Sequence, residues 1–222
     1  MSAPVFGGLL LYGRNRDCQA EFVLNKSGTK KESRPTIIPR PSHNVSRDEI
    51  SRSALKVLYR LHKSGYQAFL VGGGVRDALL GLHPKDFDIA TDAHPEEVRA
   101  LFANCRLIGR RFRLAHIRFG REIIEVATFR AATDGTEVHG DVEHDREGRI
   151  LRDNVYGTID QDVWRRDFTC NALYYNIADF SIWDYTDGVE DIRKRRITLI
   201  GDPDRRMRED PVRMLRAIRF AG

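Results

Sequence analysis

Asp86 and Asp88 stand on either side of Phe87 in Lys85-Asp86-Phe87-Asp88-Ile89, closely after the glycine run Val71-Gly72-Gly73-Gly74-Val75-Arg76-Asp77. In an extended segment successive side chains alternate between faces, so both aspartates point one way while Phe87 and Ile89 enter an apolar layer on the other. A sheet with one wet and one buried face meets both demands. Two carboxylates on one face make a hard oxygen site suited to Mg²⁺. Taken alone, an Asp-x-Asp is more often a polar strand end or turn.

The glycine run lies between two kinds of element. Phe69-Leu70-Val71 is a β-like apolar run, and Val75 to Leu80 has the pattern of a short helix closed by Gly81. A strand, a glycine turn and a helix start offer backbone N–H groups to an anion, and glycine admits a phosphate where a Cβ would block it. No Gly-Lys-Ser/Thr follows, so this is not a P-loop, nor is it the Gly-x-Gly-x-x-Gly of a dinucleotide fold. By itself the run reads equally as a tight strand-to-helix turn. The two motifs in this order predict a metal-dependent nucleotidyl-transfer site, the loop holding a triphosphate and the next strand holding metal.

At 222 residues and a net charge of +5 the chain holds one large or two small domains. The modest basic excess suits a polyanionic partner and equally an ordinary solvated surface. Cys18, Cys105 and Cys170 are scattered with no Cys-x-x-Cys pair, which argues against a zinc site or a disulfide scaffold and for a reducing compartment, the cytoplasm. Gly8-Leu9-Leu10-Leu11-Tyr12 is too short to span a bilayer, and no transmembrane segment is expected.

Residues 1–41 lack sustained periodicity and read as a disordered basic arm. Residues 42–200 are expected to form the head domain. It opens with the capping box Ser46-x-x-Glu49 and a helix carrying Ile50, Ala54, Val57, Leu58 and Leu61 on one face as far as Gly65. Pro95 begins a short helix through Ala103, and Leu114 to Phe119 and Ile123 to Arg130 alternate as a hairpin joined at Gly120-Arg121. On its second strand, Glu125 is either a third metal carboxylate or the partner of a nearby arginine. Ala131 to Gly148 reads as an exposed acidic loop.

Arg165-Arg166-Asp167-Phe168-Thr169-Cys170-Asn171-Ala172-Leu173 is polar and dense. On a helix, Arg166 or Asp167 would converge with Asn171 on a sugar or phosphate while Phe168, Ala172 and Leu173 pack inward. Asp184 to Gly188 reads as a turn. Arg208 to Phe220 predicts one helix with Pro211 near its start, Met214, Leu215 and Ile218 facing a core, and Arg213, Arg216 and Arg219 in a stripe that is solvated by default. Residues 201–222 are thus the expected start of a helical neck.

The order of these motifs, completed by Asp187-Gly188 and Glu209-Asp210-Pro211-Val212-Arg213-x-x-Arg216, closely resembles the class II template-independent nucleotidyltransferases, which include tRNA CCA-adding enzymes and bacterial poly(A) polymerases. The resemblance covers nearly everything after about Pro39. It implies an α/β head of the DNA polymerase β type, with a small mixed sheet that carries Asp86 and Asp88 on one strand and helices against one face. It also implies two Mg²⁺ ions held by Asp86 and Asp88, with Asp167 joining the catalytic pair, and ATP as substrate. Gly73, Gly74 and Arg76 would line the triphosphate. Arg166 and Asn171 would lie near the sugar and phosphates, and Asp210 and Arg213, with Arg216 in the same motif, would read the base edge.

Cys105 to His116 (Cys-Arg-Leu-Ile-Gly-Arg-Arg-Phe-Arg-Leu-Ala-His) and Pro39-Arg40-Pro41-Ser42-His43 look like the poly(A) polymerase branch. The likeness implies addition of AMP to RNA 3′ ends, which marks RNA for decay, in contact with RNA-degradation machinery. CCA addition is the alternative, and a non-catalytic ATP- or RNA-binding fragment is an alternative of another class. On the residues alone, Arg110, Arg111 and Arg113 form a basic loop that touches RNA phosphate without specificity.

Overall fold

The computed structural model describes residues 21–23, 34–109, 113–131, 142–144, 150–153 and 155–221. In chain order, β1 (Glu21–Val23) and β2 (Thr36–Ile38) lead to α1 (Arg52–Lys63), β3 (Ala68–Val71), α2 (Gly73–Leu79), β4 (Asp88–Thr91) and α3 (Pro95–Leu101). Strands β5 (Cys105–Ile108), β6 (Leu114–Phe119) and β7 (Glu122–Thr128) follow, then the pair β8 (Val142–His144) and β9 (Ile150–Asp153). The remainder is α4 (Ile159–Val163), β10 (Leu173–Asn176), β11 (Ile182–Asp184), α5 (Gly188–Arg193), β12 (Arg196–Thr198), α6 (Pro203–Glu209) and α7 (Val212–Ala221).

Eight strands form one sheet in the order β2-β11-β10-β3-β4-β7-β6-β5, more than the small sheet expected. Strands β4 and β7 run parallel and the other neighbours antiparallel, so the sheet is mixed. Alternation sorts its two faces. Leu70, Ile89, Ala115, Ile117, Ile124 and Val126 meet α1, α2 and α3 through Val57, Leu58, Leu61, Val75 and Val98 in the larger apolar core. Each large side chain so buried contributes about 1.5–3 kcal/mol. On the opposite face Phe69, Val71, Ala90 and Tyr174 join Ile159 and Val163 of α4 in a smaller cluster, leaving part of that face open.

Several sequence expectations meet a different local structure. The Ser46–Glu49 capping box is present, but it closes a 3-10 turn, and α1 begins at its own cap, where Ser51 Oγ accepts from the Ala54 amide. Within residues 1–41, Glu21–Val23 pairs with β12 and Thr36–Ile38 pairs with β11, and most of the rest lies outside the described residues. The acidic loop contains β8, which pairs with β9 just beyond it. Strand β4 starts at Asp88, so Asp86 precedes it.

Arg165 to Leu173 is not a helix. Thr169–Asn171 is a 3-10 turn leading into β10, although Phe168, Ala172 and Leu173 are fully buried as expected. The final segment is two helices broken at Asp210-Pro211, and in the second Arg213 turns inward while Arg219 stays exposed. Met214, Leu215 and Ile218 are 49–67% exposed, whereas Arg213 is 7% exposed. Arg213 and Arg216 of α7 meet acids at Glu209, Asp167 and Asp210, while Ala217 and Phe220 pack on the apolar core.

Candidate active site

Register across the sheet assembles the first part of the site. Val71 of β3 pairs with Asp88 of β4, Asp88 with Glu125 of β7, and Glu125 with His116 of β6. Cross-strand partners share a face, so Asp88, Glu125 and His116 line the open side. Asp86 and Asp88 are solvent-accessible, while Phe87 and Ile89 are 6% and 0% exposed on the core side. The inferred alternation thus holds although only Asp88 sits within the strand.

The glycine run backs directly onto this segment. Gly72 caps α2 at φ +70° and ψ −140°, a conformation that side-chain-bearing residues rarely adopt. A Cβ on Gly72 would lie 3.6 Å from Asp88 Oδ2, and one on Gly74 only 3.3 Å from the Asp86 carbonyl oxygen. Gly73 and Gly74 form the first turn of the seven-residue α2.

The Asp88 carboxyl is raised above the usual aspartate range. Burial is the main cause, although its side chain stays accessible from the cleft; Glu125 and Asp86 raise it further and Arg166 opposes them. Clustered negative charge in a partly desolvated spot is the setting in which a divalent cation is favourable, and Asp86 with Asp88 supplies hard oxygen donors for one. Glu125 lies beside them, its Oε1 3.1 Å from His116 Nε2. Among the described residues no group of three or more His, Cys, Asp or Glu side chains is arranged to hold a metal ion.

The other expected residues surround the same cleft, of about 1920 Å³, which runs from Gly72 and Asp88 to Asp210 and Arg213. Several are tied to one another. Arg76 Nη1 donates to Asn171 Oδ1 at 2.7 Å, its Nε donates to Asp77 Oδ1 at 2.9 Å, and its guanidinium stands 4.9 Å from the Phe220 ring centroid. Arg76 therefore joins the glycine helix to α7. Asp167 lines the same cleft as Asp86 and Asp88; its Oδ1 accepts from the Phe168 amide at 2.8 Å and its Oδ2 from Arg216 Nη1 at 3.0 Å. Arg216 Nη2 donates in turn to Asp210 Oδ2 at 2.8 Å, so one guanidinium bridges both acids.

Arginine crowding marks the neck side. Arg206 donates to the carbonyls of Arg165 and Arg166, fastening α6 to that loop. Arg213 donates to the Arg206 carbonyl and lies 3.5 Å from Glu209. Burial, then Arg206, lowers Arg213 to about 10; burial, then Arg130, lowers Arg165 to about 9. Arg113 pairs with Glu96 at 2.6 Å on an exposed surface, and Arg110 and Arg111 lie outside the described residues.

Sequence reasoning missed Asp162 and Tyr174, which contact Arg166. Asp162 was discoverable from its position four residues before Arg166 in a helix-like segment. Tyr174 is brought in by β10 and carries no local signal.

The poly A polymerase head domain model matches residues 68–198. The chain belongs to the poly A polymerase head domain family. Among relatives of this family, the chain is 58% identical to poly(A) polymerase I of Salmonella typhi over 90% of its own length and 44% of that protein. It is 40% identical to a CCA-adding enzyme of Lactobacillus helveticus over 76% of the chain and 40% of the relative. The Bacillus stearothermophilus CCA-adding enzyme, solved in complex with CTP, superposes with a TM-score of 0.61 at 36% identity, covering 75% of this chain and 38% of that one. The chain thus spans less than half the length of the relatives it matches. The α/β nucleotidyltransferase head is the fold of this poly A polymerase head domain.

Proposed function

We propose that this chain provides the head of an enzyme that adds AMP from ATP to RNA 3′ ends without a template. The observation that carries the reading is the 58% identity to poly(A) polymerase I against 40% to a CCA-adding enzyme, over a larger share of the chain.

Asp86 and Asp88 are the proposed ligands of two Mg²⁺ ions, consistent with the accumulated negative charge at Asp88. Bound magnesium would lower the charge on the triphosphate and on the attacking 3′-oxygen. The chain's own contribution is alignment. Gly73 and Gly74 are proposed to line the triphosphate with Arg76 nearby, and Arg166 supplies positive charge on the same cleft. Asp167 is proposed to join the catalytic pair, Asn171 to lie near the sugar and phosphates, Asp210 and Arg213, with Arg216, to read the base edge, and Arg113, with Arg110 and Arg111, to meet RNA phosphates. Glu125 is proposed to reinforce the acidic pair. Residues 42–200 are taken as the head and 201–222 as the start of the neck.

A cytoplasmic location and contact with RNA-degradation machinery are proposed on the same likeness. Cys105 and Cys170 are free and buried, and no helix among the described residues is long and apolar enough to cross a membrane.

The test offers an unstructured RNA, Mg²⁺ and either ATP or CTP to this chain, alone and extended to the length of its relatives, with Asp86→Ala as control. Long ATP-dependent tails, lost in the control, are expected. Short additions that need CTP and a tRNA-like end would transfer the assignment to CCA addition. ATP binding without incorporation at either length would leave a nucleotide-binding module.

A further inference from the structure

Asp162 near the end of α4 and Tyr174 on β10 are 6% and 0% exposed, and neither belongs to the motifs that first pointed to nucleotidyl transfer. The Tyr174 hydroxyl donates to Asp162 Oδ2 at 2.8 Å and accepts from Arg166 Nε at 2.7 Å. Arg166 Nη2 donates to the same Oδ2 at 3.1 Å, while Asp162 Oδ1 accepts from the Arg130 amide at 3.2 Å. Carboxylate, phenol and guanidinium close a ring in which each holds the other two, and the guanidinium carbon also stands 4.8 Å from the Tyr174 ring centroid.

This ring engages one edge of Arg166 and leaves the other. Among the described residues Nη1 has a single long contact, 3.5 Å to the Asn171 carbonyl, and the side chain keeps 21% of its surface accessible on the cleft that also exposes Asp88. Burial opposes the Arg166 charge, but Tyr174 and Asp162 more than offset it, so the guanidinium is held protonated. An arginine tethered only by its own torsions must be ordered when a ligand arrives, whereas one locked at Nε and Nη2 was ordered on folding.

We propose that Asp162 and Tyr174 are positioning residues that hold Arg166 so that its Nη1 donors meet the phosphates of a nucleotide in the cleft. The inference rests on the nucleotidyl-transfer reading above. A buried ion pair that served folding alone would alter stability and leave phosphate recognition untouched.

Calorimetric titration of this chain with ATP and with AMP, in Mg²⁺, tests it on Tyr174→Phe, Arg166→Met and the double variant, with thermal melts to verify folding. Tyr174→Phe removes one hydroxyl and keeps both charges, so it remains informative even where Asp162→Asn fails to fold. The expected result is a roughly fivefold loss in the preference for ATP over AMP in Tyr174→Phe, a larger loss in Arg166→Met, and no further loss in the double variant, because the tyrosine acts through the arginine. An unchanged preference in Tyr174→Phe, or equal losses with and without Arg166, would overturn the positioning role. A preference that survives Arg166→Met would also overturn it while leaving the nucleotidyl-transfer reading intact. No preference for ATP in the unaltered chain would remove both.

Discussion

Asp88 and Glu125 are register partners on the parallel strands β4 and β7, so two carboxylates stand side by side on one face of the sheet, with Asp86 just upstream. This arrangement works against stability until something positive joins it.

Replacing Asp88 with asparagine therefore separates function from folding. Because its carboxyl is raised in the folded protein, by burial and then by Glu125 and Asp86, the folded state binds the proton more tightly than the unfolded chain does. Its contribution to stability is fullest at low pH and declines as pH rises from the ordinary aspartate range through the raised value. At neutral pH without metal, Asp88→Asn is expected to raise Tm by on the order of 1–2 °C and to abolish nucleotidyl transfer. A lower Tm would mean that the carboxylate is held by favourable contacts instead.

Gly72→Ala is expected to destabilise by about 1–3 kcal/mol, since φ +70° with ψ −140° is strained for any residue with a Cβ. Chemical denaturation measures it. A change below a few tenths of a kcal/mol would show that the turn relaxes without loss.

Arg216→Met leaves Asp167 and Asp210 without their shared cation. With Arg216 41% exposed, solvent screening keeps the expected loss to on the order of 1 kcal/mol, accompanied by faster amide exchange in α7. Unchanged exchange would show that Phe220 and Ala217 alone dock the helix.

Burial pushes the Cys170 thiol up to about 11 and raises Cys105 as well. Both stay protonated at neutral pH, so alkylation monitored by mass spectrometry should be at least about tenfold slower at these two positions in the native protein than after denaturation. Rapid native labelling of Cys170 would contradict its burial.

What the sequence revealed and what it hid follow one physical division. Local alternation placed Phe87 and Ile89 in the core and freed Asp86 and Asp88, because a period of two is a property of the backbone itself. The same alternation found the β6–β7 hairpin, while an apolar run marked β3 and a short helical pattern closed at Gly81 marked α2. Arg165 to Leu173 misled because Thr169 and Asn171 suit turns as well as helices and the choice rests on distant strands. For α7, periodicity separated an apolar stripe from a basic one, but which residues turn inward depends on distant partners, the acids at Asp167 and Asp210 and the core that receives Ala217 and Phe220. The links between Asp162 and Tyr174 and between Arg76 and Asn171 depend on strand order, which no local pattern encodes.

The absence of a side chain at Gly74 has a mechanical consequence. Since the Asp86 carbonyl occupies the space beside that Cα, the proposed anion cradle and the proposed cation seat are two surfaces of one joint. A larger residue at this position would push the Asp86 backbone away, so the turn and the acidic segment behind it are fitted to each other.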